Sequence, residues 1–387
     1  MPAPVYLDYN ATTPVAPEVA DAIGPFLREH FGNPSSAHPY GRRAAAAVDA
    51  ARAQVAALVG ATDDEIVFTG CATEANNLAL CGVARALAPT GKRHLVISAV
   101  EHPAVQAPAM HLREAGWAVS IVAVDAAGQV DPAAVAAAVR ADTALVSIMH
   151  ANNEIGTIQP IAEIARRVRS RGVLVHTDAA QSPGKIPVRV DALGADLLTL
   201  AGHKFYATKG VGALYVRRGT PLAPVAFGAG QERGLRPGTE NVPAIVGLGE
   251  AARLAAERLD AAARRMQRLR DRLHAALEAG VPGLRLNGHR VERLPNTLNV
   301  SFPRVAGETL LAAASADVAA SVGSACHAGS HAPSGVLAAL GADLARATGA
   351  VRLSVGAYTV DAEVERAARA LVEAWQRLAH PEKRSAA

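Results

Sequence analysis

Short, continuously apolar runs alternate with amphipathic stretches through the first two thirds of the chain. EIVFT (65–69) is followed by TEANNLALCGVARALA, HLVISAV (94–100) by AVQAPAMHLREAG, and WAVSIVAV (117–124) by DPAAVAAAVRA. TALVSIMH (143–150) leads to IAEIARRVRSRG, after which come GVLVHTD, DLLTLAG and GALYVRR. Apolar runs of this length suit strands covered on both faces, and the helical period between them supplies the crossovers. Strand, helix, strand in this order predicts a mainly parallel sheet between layers of helices. Asp131 and Pro132 fit the N-cap and first position of one of those helices.

The pattern changes after about residue 243. A long Ala-, Arg- and Leu-rich helical segment runs to Ala279–Gly280, followed by isolated strand candidates TLNVSF and VRLSVG and a last amphipathic helix, AEVERAARALVEAWQRLA. This predicts a smaller α+β domain joined to the larger one by the long helix. The expected division is a large domain over 15–260 and a small domain made of 1–14 and 261–387.

Composition narrows the class. Of 387 residues, 50% are apolar and only 4% aromatic, so alanine-rich helices packed closely on a sheet are expected. The net charge of +4 comes from scattered basic residues, and RLAAERLDAAARRMQRLRDRL mixes Arg with acids at helical spacing, which reads as a solvated helix face rather than a nucleic-acid surface. No apolar run reaches the roughly 18 residues of a membrane span, and MPAPVYLDYNATTP has no signal-peptide pattern. Three cysteines, Cys71, Cys81 and Cys326, make no disulfide framework. A cytoplasmic enzyme with free thiols is the expectation.

In open sheets of this kind, ligands bind beyond the carboxyl ends of the strands. After EIVFT, Gly70-Cys71-Ala72-Thr73 opens into a helix whose N-terminus favours an anion. His102 follows HLVISAV, placed to stack on a planar ligand or move protons, although a surface histidine fits equally. Asn152 and Asn153 follow TALVSIMH; paired amides can orient a carboxylate or simply form a turn. Asp178 ends GVLVHTD, where a buried carboxylate needs a partner such as a protonated pyridine nitrogen, a salt bridge or a helix N-terminus. Lys204 follows DLLTLAG, and an amine there is readied for imine chemistry by burial or else snorkels to solvent. Cys326 stands among small residues in GSACHAGSHAPS, a poor fit to a core and a better one to a thiol delivery arm. A zinc site at Cys326, His327 and His331 lacks a second Cys/His cluster nearby, so no metal is expected.

The ordered set YLDYNATTP, NPSSAH, ATEANN, EHPAV, NNEIG, HTDAAQSPGK, GHKFY, GQERGLRPGTEN, LPNTLNVSF, GSACHAGSHAPS and RLSVG resembles the cysteine desulfurases, from about Tyr6 to about Gly356. These are fold-type I, class V aminotransferase-like enzymes that use pyridoxal phosphate. The resemblance implies a large α/β domain with a mainly parallel seven-stranded sheet, a smaller α+β domain and a homodimer with shared sites. It implies that Lys204 anchors the cofactor, Asp178 pairs with the pyridine nitrogen, Gln181 reaches the ring hydroxyl and His102 stacks on the ring. Thr73 and His203 would hold the phosphate, joined by Thr239 from the other subunit. Asn153 and Arg352 would bind the carboxylate of L-cysteine, the planar Arg fork matching both oxygens. Cys326 would take the sulfur as a persulfide, releasing L-alanine, and pass it to an acceptor protein such as an iron–sulfur assembly scaffold.

The chain departs from the family pattern at four places. Ala201 stands where many members carry a phosphate-donating serine, Gly70-Cys71-Ala72 replaces the usual Ser-Gly combination, FYATKG replaces FYGPKG, and His327 follows Cys326 where a small hydroxyl residue is common. The Cys-His pair also resembles selenocysteine lyases, so release of selenide from L-selenocysteine is the alternative activity. A non-catalytic sulfur-pathway binding protein is the alternative of a different class.

Overall fold

The computed structural model of the chain describes residues 3–323 and 334–380. Its strands, in chain order, are β1 (Val5–Tyr6), β2 (Ile66–Thr69), β3 (His94–Ser98), β4 (Ala118–Val122), β5 (Thr143–Ser147), β6 (Leu174–Asp178), β7 (Leu197–Ala201), β8 (Gly212–Val216), β9 (Arg285–Asn287), β10 (Thr297–Ser301), β11 (Val318–Ala319) and β12 (Ala350–Ser354). The helices are α1 (Pro17–Arg28), α2 (Pro39–Val59), α3 (Ala72–Leu87), α4 (Pro103–Glu114), α5 (Pro132–Ala138), α6 (Ile161–Arg169), α7 (Val190–Leu193), α8 (Val242–Gly280), α9 (Gly307–Ala313), α10 (Gly335–Ala339), α11 (Leu344–Thr348) and α12 (Asp361–Ala379). Every strand expected from the apolar runs forms. Asp131 caps α5 through a 2.8 Å bond from the Ala133 amide, with Pro132 at the first helical position.

Seven strands pair in the order β2-β8-β7-β6-β5-β3-β4. Helical crossovers make β4, β3, β5, β6 and β7 parallel, whereas β8 follows β7 through a short connection and runs antiparallel to both β7 and β2. Interior strands such as β3, β5 and β7 are buried at every residue, and the edge strand β4 is largely part-exposed. This is the chemical meaning of the continuous apolar runs: side chains on both pleat faces meet helices.

On one face Val19, Ile23, Val48, Val55, Ile245 and Leu248 from α1, α2 and α8 pack over Phe68, Leu198 and Leu200. On the other, α3 and α4 bring Leu78, Val83, Val105 and Leu112 onto Val67, Leu95 and Leu145. Helices α2 and α8 approach closely at Gly249, where a Cβ would stand 2.6 Å from the Ala51 Cα. A separate apolar core gathers Met266, Leu269, Leu273 and Leu277 of α8 with Val5, Leu298, Val300, Leu353 and Leu371. Here β12, β10 and β9 form a second, antiparallel sheet, and β1 pairs parallel with β11.

Candidate active site

The carboxyl ends of β2, β3, β5, β6 and β7 emerge on one side of the sheet, and each carries one of the residues singled out from the sequence. At the end of β2, Cys71 is the N-cap of α3 and its Sγ accepts from the Glu74 amide at 3.4 Å. Glu74 in turn accepts from the Gly70 amide at 2.6 Å and from Arg236 Nε at 2.8 Å. A Cβ on Gly212 would lie 2.8 Å from the Cys71 carbonyl carbon, so the start of β8 admits only glycine if the turn is to lie against it. At the end of β3, His102 caps α4, its Nδ1 accepting from the Ala104 amide at 3.1 Å. After β5, Asn152 Oδ1 accepts from the Glu154 and Ile155 amides and fixes a tight turn that leaves Asn153 at the rim.

Asp178 closes β6 almost fully buried. Asn76 Nδ2 from α3 donates to its Oδ2 at 2.8 Å and the Ala180 amide to its Oδ1 at 2.9 Å. Both carboxylate oxygens are thereby oriented, yet among the described residues no cation comes within ion-pair distance of Asp178.

After β7, His203 and Lys204 lie in a short 3-10 turn (Gly202–Lys204) locked to the N-terminal segment: Thr13 donates to the His203 carbonyl from both its amide and its hydroxyl. Lys204 Nζ donates to the carbonyls of Asn10 and Ala11, both at 2.7 Å, and Gln181 Nε2 also donates to the Asn10 carbonyl at 3.0 Å.

These groups line one cavity of about 290 Å³, together with Thr73, His102, Asn153, Ala201 and Arg352. Arg352, on β12, is 2% exposed; its Nη2 pairs with Asp8 at 2.7 Å, its Nη1 donates to the Asn153 carbonyl at 3.1 Å, and its buried Nε has no partner among the described residues. The structure thus brings Lys204, His102, Asp178, Gln181, Thr73, His203, Asn153 and Arg352 together. Thr239 is exposed and outside the cavity of this single chain. Cys326 lies outside the described residues.

Electrostatics reinforce the picture. Burial, with the Lys204 charge added, drives His203 down to about 4, so its ring is neutral at physiological pH and can donate to an anion while Nδ1 pairs with Thr12 Oγ1. Glu101, beside His102, is pushed up to about 8 by burial and further by Asp178; its Oε1 accepts from Ser98 Oγ at 2.5 Å and the Met149 amide at 3.0 Å. Lys185 is buried and falls to about 7, first through burial and then through the Lys204 charge. Its Nζ donates to the carbonyls of Gln181 (3.0 Å) and Lys204 (3.4 Å), tying the two turns that carry Asp178 and Lys204. Asn10, Asn76, Glu101 and Lys185 were missed as site residues because their sequence positions give no sign of contact. The only available hint was that they fall inside the motifs YLDYNATTP, ATEANN, EHPAV and HTDAAQSPGK.

A flat heterocycle with a protonated ring nitrogen, an aldehyde and a phosphate fits this cavity. It would supply the cation that buried Asp178 lacks, meet the amine of Lys204, and set its phosphate toward Thr73, His203 and the N-terminus of α3. A mainly parallel seven-stranded sheet with such a lysine and aspartate at its strand ends defines the pyridoxal phosphate enzymes of fold type I. Within them the chain belongs to the aminotransferase class-V family, which it matches over residues 5–367.

It is 47% identical to the cysteine desulfurase of Trichormus azollae over 97% of this chain and 93% of that protein. Against the cysteine desulfurase IscS of Dictyoglomus turgidum it is 48% identical over 92% of this chain and 90% of that one. The solved structure of a NifS-like protein superposes with a TM-score of 0.90 at 40% identity, covering 96% of this chain and 98% of that one. Among the described residues there is no cluster of metal-ligating side chains and no helix long and apolar enough to cross a membrane.

Proposed function

We propose that this chain is a pyridoxal phosphate-dependent cysteine desulfurase that takes sulfur from L-cysteine onto Cys326 and hands it to an acceptor protein. The observation that carries the reading is the single cavity in which Lys204 and the uncompensated Asp178 converge with His102, Gln181, Thr73 and His203. When bound, pyridoxal phosphate supplies an electron sink that labilises bonds at the Cα and Cβ of an amino acid.

The chain's own residues do the rest. Lys204 anchors the cofactor and, when released, is held as an ammonium by the Asn10 and Ala11 carbonyls. Asp178, oriented by Asn76 and Ala180, faces the ring nitrogen, and Gln181 the ring hydroxyl. His102 moves protons beside the substrate. Thr73 and His203 hold the phosphate, with a second copy's Thr239 completing the cradle in a homodimer. Asn153 and Arg352 receive the substrate carboxylate, and the Asp8 pair holds the guanidinium in place beforehand.

In the sulfur step the Cys326 thiolate attacks the substrate sulfur. A sulfur–sulfur bond forms, the Cβ–S bond breaks, and its electron pair takes a proton to leave the methyl group of L-alanine. The net change, Cys–SH plus L-cysteine to Cys–S–SH plus L-alanine, oxidises sulfur and reduces Cβ by the same two electrons. The persulfide sulfur then goes to an acceptor protein, an iron–sulfur assembly scaffold being the type we favour, in the cytoplasm and with no direct nucleic-acid contact. The domain division at 15–260, with 1–14 and 261–387 forming the smaller unit, is supported by α8, whose Leu248 and Leu254 enter one core and Leu269 and Leu273 the other.

Alanine release from L-cysteine tests the reading. The parent is expected to turn over, with Lys204→Ala and Cys326→Ala each lowered by about a hundredfold or more. L-selenocysteine is run in parallel; strong turnover of it with negligible turnover of L-cysteine would overturn the choice of substrate.

A further inference from the structure

Lys185 stands four residues after Gln181, in the connection between β6 and α7, and is 5% exposed. The chain reverses to place it there. The Ser182 amide donates to the Ala179 carbonyl at 2.9 Å, Gly184 takes a left-handed φ of 70°, and the Lys185 amide donates to the Ser182 carbonyl at 3.0 Å. A buried amine normally finds an acid, yet among the described residues no carboxylate forms an ion pair with Lys185. Its Nζ donates instead to the Gln181 carbonyl at 3.0 Å, to Gln181 Oε1 at 3.4 Å and to the Lys204 carbonyl at 3.4 Å. All three acceptors belong to residues that line the cavity, whereas Lys185 itself does not line it.

Gln181 passes this contact on. A glutamine amide has donors at one end and an acceptor at the other, and its neighbours decide which end goes where. The Asn10 carbonyl can only accept, and Gln181 Nε2 donates to it at 3.0 Å. That turns Oε1 toward the Lys185 amine. The same Asn10 carbonyl accepts from Lys204 Nζ at 2.7 Å, so one amide and one carbonyl stand between the two amines. The bond to the Lys204 carbonyl fixes where the Lys185 amine stands. Without that amine the Gln181 side chain is held at its Nε2 end alone. An acceptor left unsatisfied in the interior carries its desolvation penalty, which favours any rotation of the amide that finds another donor.

We propose that Lys185 is a positioning residue that acts through Gln181: it holds the amide by its oxygen, so that the Nε2 end keeps one place and one orientation beside Lys204. This deepens the reading of Gln181 as the partner of the cofactor's ring hydroxyl, and it rests on that reading. A donor fixed in advance strengthens binding, because little side-chain freedom is left to lose when the ligand arrives. An amine that merely stapled two turns would act on Asp178 and Lys204 alike, with no dependence on the Gln181 side chain.

The test compares the parent with Lys185→Met, which keeps the length of the side chain and loses its donors, with Lys185→Gln, with Gln181→Leu, and with each Lys185 substitution combined with Gln181→Leu. Equilibrium dialysis of the apoproteins measures pyridoxal phosphate affinity, and the visible absorbance maximum of the bound cofactor is recorded for each. Lys185→Met is expected to weaken binding about tenfold and to move the absorbance maximum in the direction taken by Gln181→Leu. Lys185→Gln, whose N–H2 group ends one atom short, should show a smaller loss of about threefold, and it carries the same comparison if Lys185→Met does not fold. With Gln181→Leu already present, either Lys185 substitution should change the affinity by less than about twofold. Parental affinity and absorbance in the Lys185 variants, or losses that add in full to that of Gln181→Leu, would overturn the proposal. A Gln181→Leu protein that binds and absorbs as the parent does would overturn the reading of Gln181, and this inference with it. A parent in which borohydride fixes no cofactor to Lys204 would instead overturn the cofactor reading on which both rest.

Discussion

At the scale of single residues, the site is built from side chains that hold other side chains. Asp178 owes its orientation to Asn76, and Lys204 its resting place to two main-chain carbonyls of the N-terminal segment. Hydrogen bonds to charged groups contribute about 1.5–3 kcal/mol, so Asn76→Ala is expected to weaken pyridoxal phosphate binding by about tenfold or more. Asn76→Asp, which sets one carboxylate against another, should be worse. Equilibrium dialysis of the apoprotein measures both, and unchanged affinity would remove Asn76 from the account. The residues at strand ends were legible in the sequence because a ligand's place in an open sheet follows from topology: Asp178 and Lys204 each close an apolar run. Asn10 was not, since its partners Thr297, Asn296 and Ser354 are brought to it only by the fold.

At the scale of elements, Glu101 bridges the ends of β3 and β5 through Ser98 and Met149, directly behind His102. Its folded value of about 8 lies above the ordinary carboxyl value of 4.5, so the native state holds a proton that the unfolded chain releases. The stability this group contributes is complete below about pH 4.5 and is lost as pH rises through about 8. Glu101→Gln keeps an acceptor for Ser98 and cannot ionise. Denaturant unfolding of parent and variant should therefore diverge in the variant's favour between pH 5 and 8, and a constant difference across that range would contradict the assignment. The main-sheet strands, the long helix and the last helix follow from apolar periodicity. Strands β1, β9 and β11 were not legible, because two or three residues carry no period and their pairing is decided by the small core around Leu298 and Val300.

At the scale of the whole molecule, Thr239 is exposed in the single chain, as a residue serving a second copy's cavity would be. Shared sites make a specific prediction for hybrids. A dimer of one Lys204→Ala chain and one Thr239→Ala chain should contain one cavity with both residues intact, binding pyridoxal phosphate with parental affinity. If each chain completed its own site, the hybrid's sole lysine-bearing cavity would bind as weakly as the Thr239→Ala dimer.

In the proposed reaction L-cysteine sulfur moves to Cys326 at a cofactor anchored on Lys204. The direct measurement is a single turnover with L-cysteine carrying isotopically labelled sulfur, followed by mass spectrometry of the Cys326 peptide and quantification of alanine. Labelled sulfur on Cys326 in a one-to-one ratio to alanine is the expected result. Alanine formed in that amount with no labelled sulfur on Cys326 would contradict it.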